Sequence, residues 1–120
     1  MPARALEAAL NRPISEIKAD LFRALGHPAR VRILEILVDG ECSVGEMQPL
    51  VGIEASHLSQ QLAVLRRAGV VTTRKEGSSV IYAVSDREIA KLLASAKRLL
   101  VNQLARSQAL LDDLQAPARP

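Results

Sequence analysis

Near the middle of the chain, SHLSQQLAVLRRAGVV (Ser56 to Val71) carries side chains suited to directional hydrogen bonding rather than to covalent chemistry. On a 100° helical wheel, Leu58, Leu62 and Leu65 fall together and must face a core. Opposite them lie Ser56, Gln60 and Ala63, with His57 and Val64 on one shoulder and Ser59 on the other. The outward face is therefore short, uncharged and rich in groups that both donate and accept. A glutamine amide can bond two edge atoms of adenine, and a serine hydroxyl reaches base or phosphate. Ser56, His57, Ser59, Gln60 and the neighbouring Gln61 are the candidate reading residues, and small side chains beside them let a helix backbone settle into a major groove.

The cations stand next to that face. The whole chain of 120 residues has a formal net charge of +3. Between residues 55 and 83 stand Arg66, Arg67, Arg74 and Lys75 against the single acid Glu76, so this stretch alone accounts for the excess. These four, with Ser78, are the candidate phosphate contacts, placed to meet the backbone beside a groove. With only Phe22 and Tyr82 as aromatics and no tryptophan, the chain lacks platforms on which unpaired bases stack. Duplex DNA is the partner this implies; RNA is not expected. A glycine-rich phosphate loop, an H-E-x-x-H pair and a nucleophile elbow are all missing from the sequence, so an enzyme is not expected.

The elements that position these residues follow from periodicity and punctuation. Residues 1–13 read as an N-terminal arm ending at Pro13. Ser15 offers an N-cap to EIKADLFRAL, whose Ile17, Leu21 and Leu25 form one apolar stripe stopped by Gly26. After His27, Pro28 restarts the chain at a first helical position, where its missing N–H costs nothing. Val31, Ile33, Leu34, Leu37 and Val38 give that helix a wide buried face, ended by Asp39-Gly40. Ser43-Val44-Gly45-Glu46 has the spacing of a capping box and opens a short third helix to about Val51. A turn at Gly52-Ile53 leads to the fourth helix, 54–68, closed by Gly69.

VVTTRK and SSVIYAV, two β-branched runs around Glu76-Gly77-Ser78, predict a hairpin over 70–84, with a further β-bridge at Glu41-Cys42. Ser85-Asp86-Arg87-Glu88 has the spacing of a second capping box. It opens a helix to Leu114 of roughly 29 residues, about 43 Å long at ~1.5 Å per residue. Residues 115–120 read as a disordered tail. The order α-α-α-α-β-β-α, with a short turn between the third and fourth helices and a hairpin after them, is that of a winged helix-turn-helix, a mainly α (α+β) fold occupying residues 14–114.

The segments LFRALGHPARVRILEIL, SVGEM and SHLSQQLAVLRRAGVVTTRKEGSSVIYAVSD resemble the bacterial ArsR/SmtB winged-helix regulators over about Asp20 to Asp86. The resemblance implies a homodimeric, sequence-specific regulator of transcription, usually a repressor released by an inducer. It also implies that the first and last helices form the interface. The periodicity agrees: Ile89, Leu93, Ala96, Leu100, Leu110 and Leu114, flanked by Leu92, Leu99, Leu104 and Leu111, give the last helix more apolar surface than one small core can cover. Ile17, Leu21, Leu93, Leu100, Leu104 and Leu111 are accordingly the expected interface residues.

Relatives in this family often hold a metal through paired cysteines near the helix-turn-helix or through Asp, His and Glu on the last helix. This chain reads Ser43-Val44-Gly45 at the first place, with Cys42 alone before it, and has no histidine from Asp86 onward. Neither usual set of convergent ligands is present, so no cofactor or metal is expected. His27 and Cys42 are the remaining candidate ligands; a helix start and a small buried hydrophobe are their simpler roles. No apolar run reaches the ~18–20 residues that a bilayer requires, and nothing in the sequence resembles a signal peptide, so a cytoplasmic location is expected. The competing class is a winged-helix protein-interaction module with weak or no autonomous DNA binding. Such a module would be expected to carry an acidic or apolar face on the fourth helix.

Overall fold

The computed structural model describes residues 11–117, so most of the arm and the last three tail residues lie outside the described residues. Five helices and three strands follow in the order α1 (Ile14–Leu25), α2 (Pro28–Val38), β1 (Cys42–Ser43), α3 (Val44–Val51), α4 (Ala55–Arg67), β2 (Val71–Glu76), β3 (Ser79–Val84) and α5 (Glu88–Gln115). The chain divides into two units after Ile89, the second holding nearly all of α5.

In the first unit, Ile33, Leu34, Met47, Leu58, Leu62 and Leu65 are completely enclosed, with Leu37, Val70 and Val71 beside them. At about 1.5–3 kcal/mol for each fully buried large side chain, this cluster is the main favourable term holding α2, α3, α4 and the base of the hairpin together. α2 lies at the centre, packing on α1, α3, α4 and β3. The sheet has the order β1-β3-β2, wholly antiparallel, with Cys42 opposite Tyr82 and Glu76 opposite Ser79. The bridge anticipated at Glu41-Cys42 therefore falls one residue later.

Caps decide where the helices begin and how they are aimed. α2 starts as expected with Pro28, and the His27 ring caps it: Nδ1 accepts from the Ala29 amide at 3.0 Å. The first capping box is present, Glu46 N donating to Ser43 Oγ at 3.2 Å and Ser43 N to Glu46 Oε1 at 3.0 Å. Two other expectations are corrected. Ser15 caps nothing, because α1 begins one residue before it, at Ile14, with Pro13 at the cap position. Ser85 is not an N-cap either: its hydroxyl donates to the Gly69 carbonyl at 2.7 Å and its amide to the Val70 carbonyl at 3.0 Å. Asp86 takes over, accepting from the Glu88 amide at 2.8 Å. Ser85 thus ties the end of the hairpin to its start.

Most consequential for the site is the exit from α4. Gly69 has φ +77°, its amide donates to the Arg66 carbonyl, and the Val70 amide reaches back to the Leu65 carbonyl. This paired bonding is a Schellman end, and the accompanying apolar contact is supplied by the buried Leu65 and Val70. A left-handed residue is required there, which favours glycine. The turn sends the chain straight from α4 into β2, so α4 and the hairpin are set by one covalent junction.

α1 and α5 present apolar side chains that the described residues do not cover. On α1 these are Ile14, Leu21 and Phe22, and on α5 Leu99, Leu100, Val101, Leu104, Leu110, Leu111 and Leu114.

Hydrogen bonds from Ser43, its backbone amide foremost, hold the Glu46 carboxyl below its ordinary range. A carboxylate so depressed contributes stability that is present above its unfolded value and lost as pH falls through the folded one. Ser43→Ala is expected to lower stability by about 1 kcal/mol, measured by chemical denaturation at neutral pH. Glu46→Gln, which keeps an acceptor but gives up the charge, should lower neutral stability and lose less on acidification below roughly pH 4 than the parent does.

Candidate nucleic-acid interface

α4 buries Leu58, Leu62 and Leu65 and leaves Ser56, His57, Ser59 and Gln60 exposed. The first two turns therefore carry the outward polar set that the wheel predicts. Ala63 and Val64 are half-buried, so the outward polar surface is confined to the amino-terminal half of the helix. Arg66 and Arg67, in the last turn, and Lys75 and Ser78, on the hairpin, are exposed. Gly77 (φ +62°) and Ser78 form a two-residue loop between Glu76 and Ser79; only its first residue is left-handed, the pattern of a type II′ hairpin turn. Without a Cβ at that tip, the wing backbone can approach a flat surface closely.

Gln61 does not belong to this surface. It is only 8% exposed, and its Oε1 accepts from Arg30 Nη1 at 2.9 Å. It stands three residues after Leu58 and four before Leu65, which puts it on the core side of the helix. The sequence held that signal, but the polarity of the side chain outweighed it. Arg30, absent from the expected set, follows the same rule: it precedes Ile33 by three residues and Leu34 by four, and it is half-buried.

Arg74 is exposed, as expected, but its charge is already compensated. Its guanidinium pairs with Glu41 on one side and with Glu76 at 2.7 Å on the other, which raises its pKa further. Glu41 lies 33 residues away in sequence and is brought alongside by the β1–β3–β2 sheet. A phosphate would have to displace or share those carboxylates. Among the described residues, Arg66, Arg67 and Lys75 have no ion-pair partner, so the uncompensated charge of the site resides on these three.

His57 is exposed on the shoulder of α4 and meets the His27 ring edge-on, with centroids 6.0 Å apart. His27 Nδ1 is committed to the Ala29 amide, which leaves Nε2 as the ring's other polar atom. Cys42 is half-buried, and burial, with the neighbouring Glu46 charge, pushes its thiol pKa up, away from the thiolate that a metal needs. Among the described residues no three His, Cys, Asp or Glu side chains converge. Of the expected interface residues, Leu21, Leu100, Leu104 and Leu111 are exposed, Leu104 to 70%, whereas Ile17 and Leu93 are half-buried. Phe22, 59% exposed, and Ile14 extend the α1 face beyond what was anticipated.

Residues 27–73, from the α2 cap through α4 into the hairpin, match the sequence profile of bacterial regulatory proteins of the arsR family. The chain is 50% identical over 107 residues to the uncharacterized HTH-type transcriptional regulator Rv0081 of Mycobacterium tuberculosis, covering 88% of this chain and 94% of that one. The chain belongs to the ArsR family. The crystal structure of Rv0081 superimposes with a TM-score of 0.75 at 49% identity, over 81% of this chain and 98% of that one. The biofilm growth-associated repressor of Xylella fastidiosa is 38% identical over 85 residues, 71% of this chain and 75% of the repressor. The homodimeric winged helix-turn-helix DNA-binding domain of Mb0332 from Mycobacterium bovis superimposes with a TM-score of 0.69 at 26% identity, over 76% of this chain and 84% of that domain. As an ArsR-family transcriptional regulator with a winged helix-turn-helix fold, the chain is not an enzyme.

Compensation of Arg74 makes separable predictions for the wing. Lys75→Ala should lower the slope of log affinity against log salt by about 0.9, as one lost phosphate contact requires. Glu41→Gln, which frees Arg74 from one carboxylate, should tighten binding to random-sequence duplex severalfold; fluorescence anisotropy on one labelled duplex across a salt series measures both.

Proposed function

We propose that this ArsR-family regulator acts as a homodimer that reads a two-fold-related operator, with α4 in the major groove and the hairpin on the adjacent backbone. One observation carries the reading: Ser56, His57, Ser59 and Gln60 project from the first two turns of α4, while the leucines behind them are sealed in the core. Gln60, at the centre of that set, has the amide to bond the N6 and N7 edge of an adenine, with Ser56 and Ser59 reaching neighbouring bases or phosphates. Arg66, Arg67 and Lys75 supply sequence-independent attraction to phosphate, which sets affinity and its salt dependence.

The dimer answers a separate need. A long helix whose leucines face water gains little from its own hydrogen bonds and requires a partner to bury them. A second copy of the chain fits, because a two-fold axis matches each apolar face with itself and sets two reading helices about one DNA turn apart. Likeness to the homodimeric Mb0332 domain supports this assignment, and likeness to the Xylella fastidiosa repressor supports repression as the sign, exerted where the operator overlaps a promoter. No helix is long and apolar enough among the described residues to cross a membrane, in keeping with a regulator acting where the chromosome is, in the cytoplasm. The reading requires no cofactor, since His27 is occupied in holding the α2 amide and Cys42 has Ser43 beside it in place of a second thiol.

Selection of binding sites from a random duplex pool should return an inverted repeat. Gln60→Ala should reduce the preference for that repeat over random duplex by about tenfold, roughly the worth of one good base contact, while leaving the salt slope unchanged. Leu104→Glu should shift the dimer to monomer in sedimentation and weaken operator binding without altering the circular dichroism of the helix-turn-helix.

A further inference from the structure

Two polar side chains stand on the core-facing sides of α2 and α4, and they meet. Arg30 Nη1 donates to Gln61 Oε1 at 2.9 Å, Nε to the Ala24 carbonyl at 2.7 Å and Nη2 to the Arg23 carbonyl at 3.2 Å. The two carbonyls belong to the last turn of α1, where a helix runs short of amide donors; the Arg23 carbonyl also accepts from the Gly26 amide at 3.1 Å. One guanidinium thus closes the end of α1 and grips α4 at the residue next to Gln60. Gln61 is the one buried polar side chain of the described core, and it lies between Leu58 and Leu65 on the sealed face.

We infer that Arg30 is the positioning residue of the reading helix: by bridging Gln61 to the last turn of α1, it fixes the rotation and axial setting of α4, and with them the operator preference. The inference deepens the DNA-reading function proposed above and rests on it. Leucines alone set the face of α4 that is buried, but apolar packing is non-directional and tolerates small slips along and about the axis. A planar guanidinium with donors in a rigid fork does not, because each bond weakens steeply as its angle falls away from linear. Base-edge contacts from short side chains such as Ser56, Ser59 and Gln60 share that sensitivity to placement. Arginines and lysines on phosphate do not, since long flexible side chains follow a shifted backbone. The bridge therefore acts on sequence preference and leaves general affinity for duplex alone. It also joins α4 to α1, whose exposed Leu21 and Phe22 lie a few residues before the bonded carbonyls.

The test measures the ratio of operator affinity to random-duplex affinity for Arg30→Met, Gln61→Leu, the two combined, and Gln61→Glu. Each single apolar replacement should lower the ratio by about tenfold with the salt slope unchanged, and the double should fall no further than either single, as coupled partners require. Gln61→Glu, whose carboxylate still accepts from the guanidinium, should hold the ratio within about threefold of the parent. A residue that only fills the core would shift the melting temperature and leave the ratio alone, and that outcome overturns the assignment, as does a double variant in which the two losses multiply. Should Arg30→Met not fold, Gln61→Leu against Gln61→Glu decides by itself: loss in the first and retention in the second upholds the bridge, and equal ratios overturn it. A parent protein with no operator preference overturns the DNA-reading function, whereas a preference that survives in every variant overturns only the role of Arg30.

Discussion

Leu58, Leu62 and Leu65 occupy one edge of α4, and burying all three decides which face of the helix turns inward. That constraint dictates what the opposite edge can be. Because successive side chains step by 100°, Ser56, Ser59 and Gln60 are turned to solvent at the same stroke that hides the leucines. The Schellman turn at Gly69 then transmits the orientation, since the Val70 amide is bonded back to the Leu65 carbonyl and the hairpin departs from a fixed point. α4 and the hairpin are in this sense one object, joined by a row of apolar contacts and a single left-handed residue.

Charge on this object is apportioned rather than merely accumulated. A count along the sequence assigns four cations to the helix and hairpin, but Glu41 arrives across the sheet and, with Glu76, neutralises Arg74. What remains unpaired of the four, among the described residues, is Arg66 and Arg67 at the end of α4, where they also complement the carbonyl end of the helix, and Lys75 on the wing. Fewer free cations mean a weaker hold on arbitrary duplex. Discrimination is a difference of affinities, so in the proposed function a lower non-specific term raises the share that base contacts carry.

The polar groups of the interior follow a common pattern. His27 caps α2, Arg30 closes α1, and Gln61 meets Arg30, so groups that a purely apolar core would exclude are all satisfied; no buried side-chain polar atom of the described residues lacks a partner. Each bond runs between different elements or at an element's end, so together they define how the helices are set rather than how much apolar area is buried. Buried polar groups left unmatched are costly, and alternative settings of α4 that break the Arg30 bridge are disfavoured on that ground.

Much of this was legible in the sequence. The proline start of α2, the Ser43–Glu46 capping box, the glycine after α4, the hairpin around Gly77 and the surplus of leucine on α5 are all encoded within a few residues, because caps, turns and amphipathic periodicity are local properties of the chain. The core-side positions of Gln61 and Arg30 were encoded too, by their spacing from Leu58 and Ile33, though polarity argued the other way. The partners they would find there were not. Arg30 and Gln61 are 31 residues apart, Arg74 and Glu41 33, and His27 and His57 meet from different helices. Periodicity says which face of an element a residue occupies but carries nothing about what lies across from it. Which polar group satisfies which, and hence which cations stay unpaired, was decided only when elements distant in sequence docked.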